Sequence, residues 1–215
     1  MSKPSLIYIA DPMCSWCWGF SVAMGELRKH VAGKIAIQLV MGGLRTGNSQ
    51  PMDENLRNYV LGHWVNVHQA SGQPFNFAFK MAKDFVYDTE FACRAIKTAD
   101  HMAPSQGSEA ALNILENIQR DFYEFNRDVT KLDVLQKAAE NCGLDGTKFS
   151  DLFSSNPIKQ SCQEDFVRAR KLTATGFPTL VGEKNGQFTT LAPGYTSPDK
   201  LLAVVDSWMG FELKR

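Results

Sequence analysis

Cys14 and Cys17 stand at positions i and i+3 of DPMCSWCWGF, residues 11–20. Sulfur at that spacing has three uses: a redox couple, half of a metal site, or two small core side chains. If the segment opens a helix, i and i+3 share one turn, close enough for a disulfide. A working dithiol needs an exposed, partly ionised thiol, because the thiolate attacks disulfides. It also needs a less accessible neighbour that resolves the mixed disulfide. Cys14, at the head of the expected helix, suits the first role, since free N–H groups and the helix dipole there favour negative charge. Cys17, one turn further in, suits the second. A closed zinc site would need two more ligands, typically a second close cysteine pair or paired histidines. Cys142 and Cys162 are widely separated, and His63 and His68 have no partner motif. The redox reading is therefore preferred and no metal is expected. Cys93, Cys142 and Cys162 read as small buried hydrophobes, and the two histidines as ordinary helix surface or core.

The neighbours admit two readings each. Trp16 and Trp18 either shield Cys17 and offer substrate an apolar contact, or simply pack the helix. Ser15 either donates a hydrogen bond to the thiolate or starts the helix. Asp11 either accepts a proton from Cys17 during resolution or shapes a turn before Pro12, and the turn-only reading is preferred. Arg45, in GGLRTG after the second expected strand, either steadies an anion or belongs to a plain connection, and the connection is preferred.

These residues must be held by elements that the pattern outlines. SLIYIA reads as a short buried strand ending at Asp11-Pro12. Phe20, Met24, Leu27 and Val31 recur at helical spacing, with Gly33 as a C-terminal cap. Ile35, Ile37, Leu39 and Met41 alternate, as in a strand. A strand–helix–strand opening implies a crossover between parallel strands. From about Asp53 to Thr173 the spacing predicts helices and no strand. Leu56, Tyr59, Val60, Trp64 and Val67 form one apolar face. Phe91, Ala95, Ala99 and Met102 form a second, and Leu112, Leu115, Ile118, Phe122 and Phe125 a third. Shorter helices are expected over 134–142, 149–153 and 158–172. Asn185-Gly186, between two apolar runs, predicts a hairpin. A last helix begins with Ser197 as N-cap and Pro198 at its first position, buries Leu201, Leu202, Val205 and Trp208, and stops at Gly210.

Composition bounds the function. The chain has 215 residues, 44% of them hydrophobic, with Lys+Arg and Asp+Glu both at 23. No basic excess points to nucleic acid and no acidic tract to a disordered tail. The apolar part of the N-terminus, LIYIA, is too short for a signal peptide or a membrane span, so a cytoplasmic location is expected. Five cysteines at wide spacing argue against a secreted disulfide framework. In a reducing compartment a close pair is more often catalytic or metal-binding.

CSWC after a strand, and TGFPTL after a long helical block, resemble the thioredoxin superfamily. The similarity is to its DsbA-like branch, and within it to the cytoplasmic members described as protein-disulfide isomerases, near the FrnE-type oxidoreductases. The resemblance implies an α/β thioredoxin fold with an all-helical insertion. Residues 1–50 and 157–215 would form the thioredoxin-like domain and 51–156 the insertion. It implies a thiol–disulfide oxidoreductase or isomerase with Cys14 as nucleophile and Cys17 as resolving thiol. Pro178 matches the family's cis-proline facing the dithiol, where the residues alone left cis and trans open. Phe177 would then present backbone groups to an incoming chain. Gly194 matches the glycine turn before the last helix. The implied substrates are protein or small-thiol disulfides, with glutathione among the thiols, without cofactor, nucleic acid or membrane. The Ser15-Trp16 dipeptide departs both from the histidine of strongly oxidising DsbA enzymes and from the Gly-Pro of thioredoxin, so the direction of electron flow stays open. Two rival readings remain. One is a glutathione-dependent transferase or isomerase of the kappa or hydroxychromene-carboxylate type, whose members typically carry serine at the Cys14 position. The other is a non-catalytic adaptor or metal carrier.

Overall fold

Every residue of the first strand, β1 (Ser5–Ala10), is buried. A strand with no solvent face belongs in the middle of a sheet covered on both sides, and its alternation shows how. Leu6, Tyr8 and Ala10 enter the main core, while Ile7 and Ile9 join Val40, Ala169 and Val181 on the opposite face. The computed structural model describes residues 3–172 and 176–210. Thr173, the expected end of the helical block, lies outside the described residues.

Helix α1 (Ser15–Val31) returns the chain antiparallel to β1 and buries Cys17, Trp18, Phe20, Ala23, Met24, Leu27 and Val31. Strand β2 (Ala36–Met41) then pairs parallel with β1, Ser5 opposite Ala36 and Ala10 opposite Met41. The helical block follows as α2 (Glu54–Ser71), α3 (Glu90–Met102), α4 (Glu109–Tyr123), α5 (Leu132–Asn141), α6 (Gly146–Phe153) and α7 (Asn156–Leu172). A 3-10 turn over Pro104–Gln106 separates α3 from α4. Strand β3 (Thr179–Lys184) runs antiparallel beside β1, and β4 (Gln187–Pro193) closes the order β2-β1-β3-β4. Asn185 and Gly186 both take positive φ, 55° and 76°, as a two-residue hairpin turn of this hand requires. Helix α8 (Pro198–Met209) starts at Ser197 and ends on left-handed Gly210. The fold is thus a thioredoxin-type α/β sheet with a helical insertion between β2 and β3.

Several expectations need correction. Residues 72–89 hold no helix. They form a loop whose Phe75 and Phe79 rings pack 5.3 and 5.2 Å from Trp64, so aromatic side chains anchor the segment rather than backbone periodicity. Tyr59, Phe91 and Phe125 are 59, 39 and 45% exposed, not core. Phe125 lies beyond the end of α4, Phe91 is covered by the Arg94 guanidinium 4.7 Å above its ring, and Tyr59 borders the pocket described below. Cys142 is only half-buried. Ser197 holds the N-cap position without a side-chain cap bond.

Docking of α8 depends on Gly182 of β3. A Cβ there would lie 2.4 Å from Trp208 Cε2, and that ring is half-buried. Gly182→Ala is expected to lower stability by about 1–3 kcal/mol through overpacking, read as an earlier urea midpoint. An unchanged midpoint would mean that Trp208 is free to swing away.

Candidate active site

The head of α1 carries the dithiol. Cys14 occupies the N-cap position with extended backbone, φ −89° and ψ 113°, no side chain caps the helix, and no acid sits in its first turn. Its carbonyl accepts from the amides of Cys17 and Trp18 at 2.9 and 3.1 Å, which starts the helix. The positive end of α1 is therefore left open to a negative charge at this sulfur. Cys14 is only 6% exposed, and Cys17 is fully buried. The expected exposed nucleophile is in fact a thiol at the floor of a pocket, touched by solvent at one edge. Burial, then the adjacent Cys14 sulfur, push the Cys17 thiol well above its ordinary range.

Strand pairing brings the far end of the chain to this sulfur. Thr179 of β3 lies opposite Ile9 of β1, so the residues before Thr179 come level with the turn that leads to Cys14. The Phe177–Pro178 bond is cis, and the Cys14 Sγ–H points to the Phe177 carbonyl at 3.7 Å. Gly42 makes room for this approach: a Cβ there would meet the Phe177 ring at 2.5 Å. Gly194, with φ 119°, forms the turn that precedes α8.

Asp11 does more than shape a turn. Its fully buried carboxylate accepts from the Met13 amide at 2.9 Å, the Leu44 amide at 2.7 Å and the Cys93 thiol at 3.5 Å. One side chain thus joins the pre-helix turn, the loop after β2 and helix α3. Burial raises its pKa despite these hydrogen bonds, which pull the other way. Cys93 is buried as expected, but it is also a donor to this carboxylate. Burial, then the Asp11 charge, raise its own pKa. The Tyr87 hydroxyl donates to the Met13 carbonyl, a second tie on the same turn.

The two tryptophans divide. Trp18 is core: its Nε1 donates to the Pro74 carbonyl at 3.0 Å and its ring stacks on Tyr123. Trp16 is half-buried against Tyr195, ring centroids 5.8 Å apart, and lines the pocket over Cys14. Ser15 begins α1 and also lines that pocket. The pocket measures about 260 Å³, and Arg45, Tyr59, His63 and Phe177 are among its walls. Tyr59 and His63 are residues that sequence reasoning placed elsewhere. They share one face of α2 at i and i+4, their rings 4.6 Å apart, yet periodicity alone gives no sign that this face borders a thiol. His68 instead hydrogen-bonds through Nδ1 to the Gln73 carbonyl. Among the described residues, no three His, Cys, Asp or Glu side chains gather as a metal cage.

The thioredoxin family profile matches residues 7–187. A solved structure of a candidate protein disulfide isomerase from Nitrosomonas europaea is 34% identical. The alignment covers 97% of this chain and 98% of that one, with a TM-score of 0.87. This chain belongs to the DsbA-like thioredoxin family. A second solved structure, the cytosolic disulfide reductase DsbM of Pseudomonas aeruginosa, is 28% identical over 97% of this chain and 100% of that one, with a TM-score of 0.79. DsbM has also been solved with GSH, at TM-score 0.77. Among curated relatives, the ClpXP adapter protein SpxH of Bacillus subtilis is 25% identical over 182 residues, 83% of this chain and 58% of SpxH. The chain thus spans a little over half the length of the curated relatives it matches. No described helix of this DsbA-like chain is long and apolar enough to cross a membrane.

The Asp11 carboxylate gives a pH test. Its folded-state pKa lies above its unfolded value, so the folded chain holds the proton more tightly. Stability from this group is full below the ordinary aspartate value of about 3.9 and is lost as pH rises through the raised pKa. Asp11→Asn cannot titrate. Urea denaturation from acid to neutral pH should show wild type losing stability relative to the variant as pH rises. A constant difference across that range would contradict the raised pKa.

Proposed function

We propose that this protein is a thiol–disulfide oxidoreductase working as a reductase or isomerase in a reducing, cytoplasmic compartment, with Cys14 as nucleophile and Cys17 as resolving thiol. The observation that carries the reading is the Cys14 sulfur set against the Phe177 carbonyl with the buried Cys17 thiol behind it. The Cys14 thiolate attacks one sulfur of a substrate disulfide. A Cys14–substrate S–S bond forms, the substrate S–S bond breaks, and the leaving thiolate takes a proton. Cys17, deprotonated in turn, attacks the Cys14 sulfur and releases the second substrate thiol. Two electrons have passed from the dithiol to the substrate, and Cys14 and Cys17 are left as a disulfide. Two equivalents of a small thiol return it to the reduced form, and the solved structure of DsbM with GSH supports glutathione as that thiol. Loss of the Sγ–H on ionisation frees the Phe177 carbonyl to pair with the backbone of an extended substrate.

Asp11 is too firmly hydrogen-bonded to act as a mobile base, and its proposed part is to position the turn that presents Cys14. The glutathione-transferase or isomerase reading is weakened by cysteine, rather than serine, at position 14. An adaptor role is favoured by the similarity to SpxH and is separable by assay.

Insulin reduction at neutral pH should be lost by at least about 100-fold in Cys14→Ser, because a hydroxyl has almost no anionic fraction there. Cys17→Ser should accumulate a mixed disulfide on Cys14. In wild type, release of that intermediate should quicken as pH rises, because the Cys17 thiol starts from a raised pKa. Equal, negligible activity in wild type and Cys14→Ser would favour the adaptor. Glutathione conjugation or isomerisation that survives Cys17→Ser would favour the transferase class.

A further inference from the structure

The pocket over Cys14 has an uneven charge. Among the described residues that line it, Arg45 is the one with a permanently charged side chain, and none is Asp or Glu. Among the described residues Arg45 forms no ion pair. Its guanidinium lies 5.5 Å from the centre of the Tyr87 ring, and its backbone is fixed to Thr89, whose hydroxyl accepts from the Arg45 amide at 3.3 Å. The carboxylates on adjoining segments are committed elsewhere. Asp11 faces the amides of Met13 and Leu44, and Asp88 those of Gly47 and Glu90, at 3.1 and 2.9 Å. The uncapped end of α1 adds positive potential on the side of the sulfur. A half-buried guanidinium held over a ring, without an anionic partner, is suited to a planar carboxylate. At about 260 Å³ the pocket fits one arm of a small disulfide better than a folded surface.

We propose that Arg45 is a specificity-determining residue. It takes the carboxylate of a small anionic thiol of the glutathione class while the sulfur of that thiol lies against Cys14. The inference rests on the oxidoreductase reading above and deepens it: among small disulfides, this site selects those whose arms carry a carboxylate. The thiol arm held by Arg45 is the one that becomes bonded to Cys14. The other arm departs as thiolate, and Cys17 then displaces the held arm as described.

The test uses the full chain, reduced beforehand, mixed in single turnover with three disulfides. Oxidised glutathione is anionic, hydroxyethyl disulfide neutral and cystamine cationic. Each rate is divided by that of dithiothreitol with the same disulfide, to remove intrinsic reactivity. Wild type is expected to prefer the anionic reagent, and salt should erode the preference. Arg45→Gln should slow oxidation by glutathione disulfide about tenfold and leave the neutral reagent within about twofold, while Arg45→Lys, which keeps the charge but loses the planar fork, restores only part of the anionic rate. Equal losses for both reagents, or no loss with glutathione disulfide, would overturn the proposal and leave the oxidoreductase reading intact. If no disulfide oxidises the protein, the oxidoreductase reading fails. Calorimetry with unreactive S-methylglutathione then decides the role of Arg45 separately. Binding that weakens about tenfold in Arg45→Gln supports it, and equal binding, or none to wild type, overturns it.

Discussion

A reactive sulfur at a helix end is useful only if the turn before it is fixed, and here one buried carboxylate fixes it. Asp11 accepts from the amide of Met13 in its own turn, from Leu44 after β2 and from Cys93 on α3. Without it, the Met13 amide and the Cys93 thiol would be buried without partners, each at a cost of about 1–3 kcal/mol, and the Leu44 amide would lose its tie. The desolvation of the carboxylate is offset only in part by those same donors, so its pKa stays raised. The turn therefore cannot move without opening the contact between sheet and insertion. That rigidity is what lets Cys14 stand at a set distance from the Phe177 carbonyl.

The insertion and the sheet divide the work. Sheet and α1 carry the dithiol, the cis-proline segment and the open helix end. The helical block supplies the walls, with Tyr59, Val60 and His63 from α2 and Tyr87 from the loop before α3. An aromatic cluster joins the two parts. Trp64 packs within 5.7 Å of Phe75, Phe79, Phe122 and Tyr123, and Tyr123 stacks under Trp18 of α1. The buried rings thus bear on the head of α1.

The legible parts of the chain were those governed by local rules. The β-α-β opening follows from alternation and helical spacing, the hairpin from Asn185-Gly186, and the last helix from Pro198 and Gly210. The place of the Cys14–Cys17 pair at the head of α1 was legible for the same reason, from a spacing of three beside a helical pattern. The obscure parts depend on contacts distant in the chain. Asp11 and Cys93 meet across the insertion, and nothing around either residue signals the other. Apolar spacing marked Tyr59 as core, because periodicity reports which face a residue is on and not whether that face meets protein or a pocket. Residues 72–89 are fixed by aromatic packing on Trp64, which has no period to detect.

The account depends on Cys14 and Cys17 acting as one reversible couple apart from the other thiols. The most direct measurement equilibrates the protein in glutathione redox buffers, quenches it in acid, alkylates the free thiols in denaturant and maps them by mass. The account predicts a single two-electron transition confined to Cys14 and Cys17. Its potential should lie between that of thioredoxin, about −270 mV, and that of DsbA, about −120 mV. Cys93, Cys142 and Cys162 should be alkylated throughout. A Cys14 that stays free under oxidising buffer, or a disulfide drawn instead through Cys93 or Cys162, would contradict it.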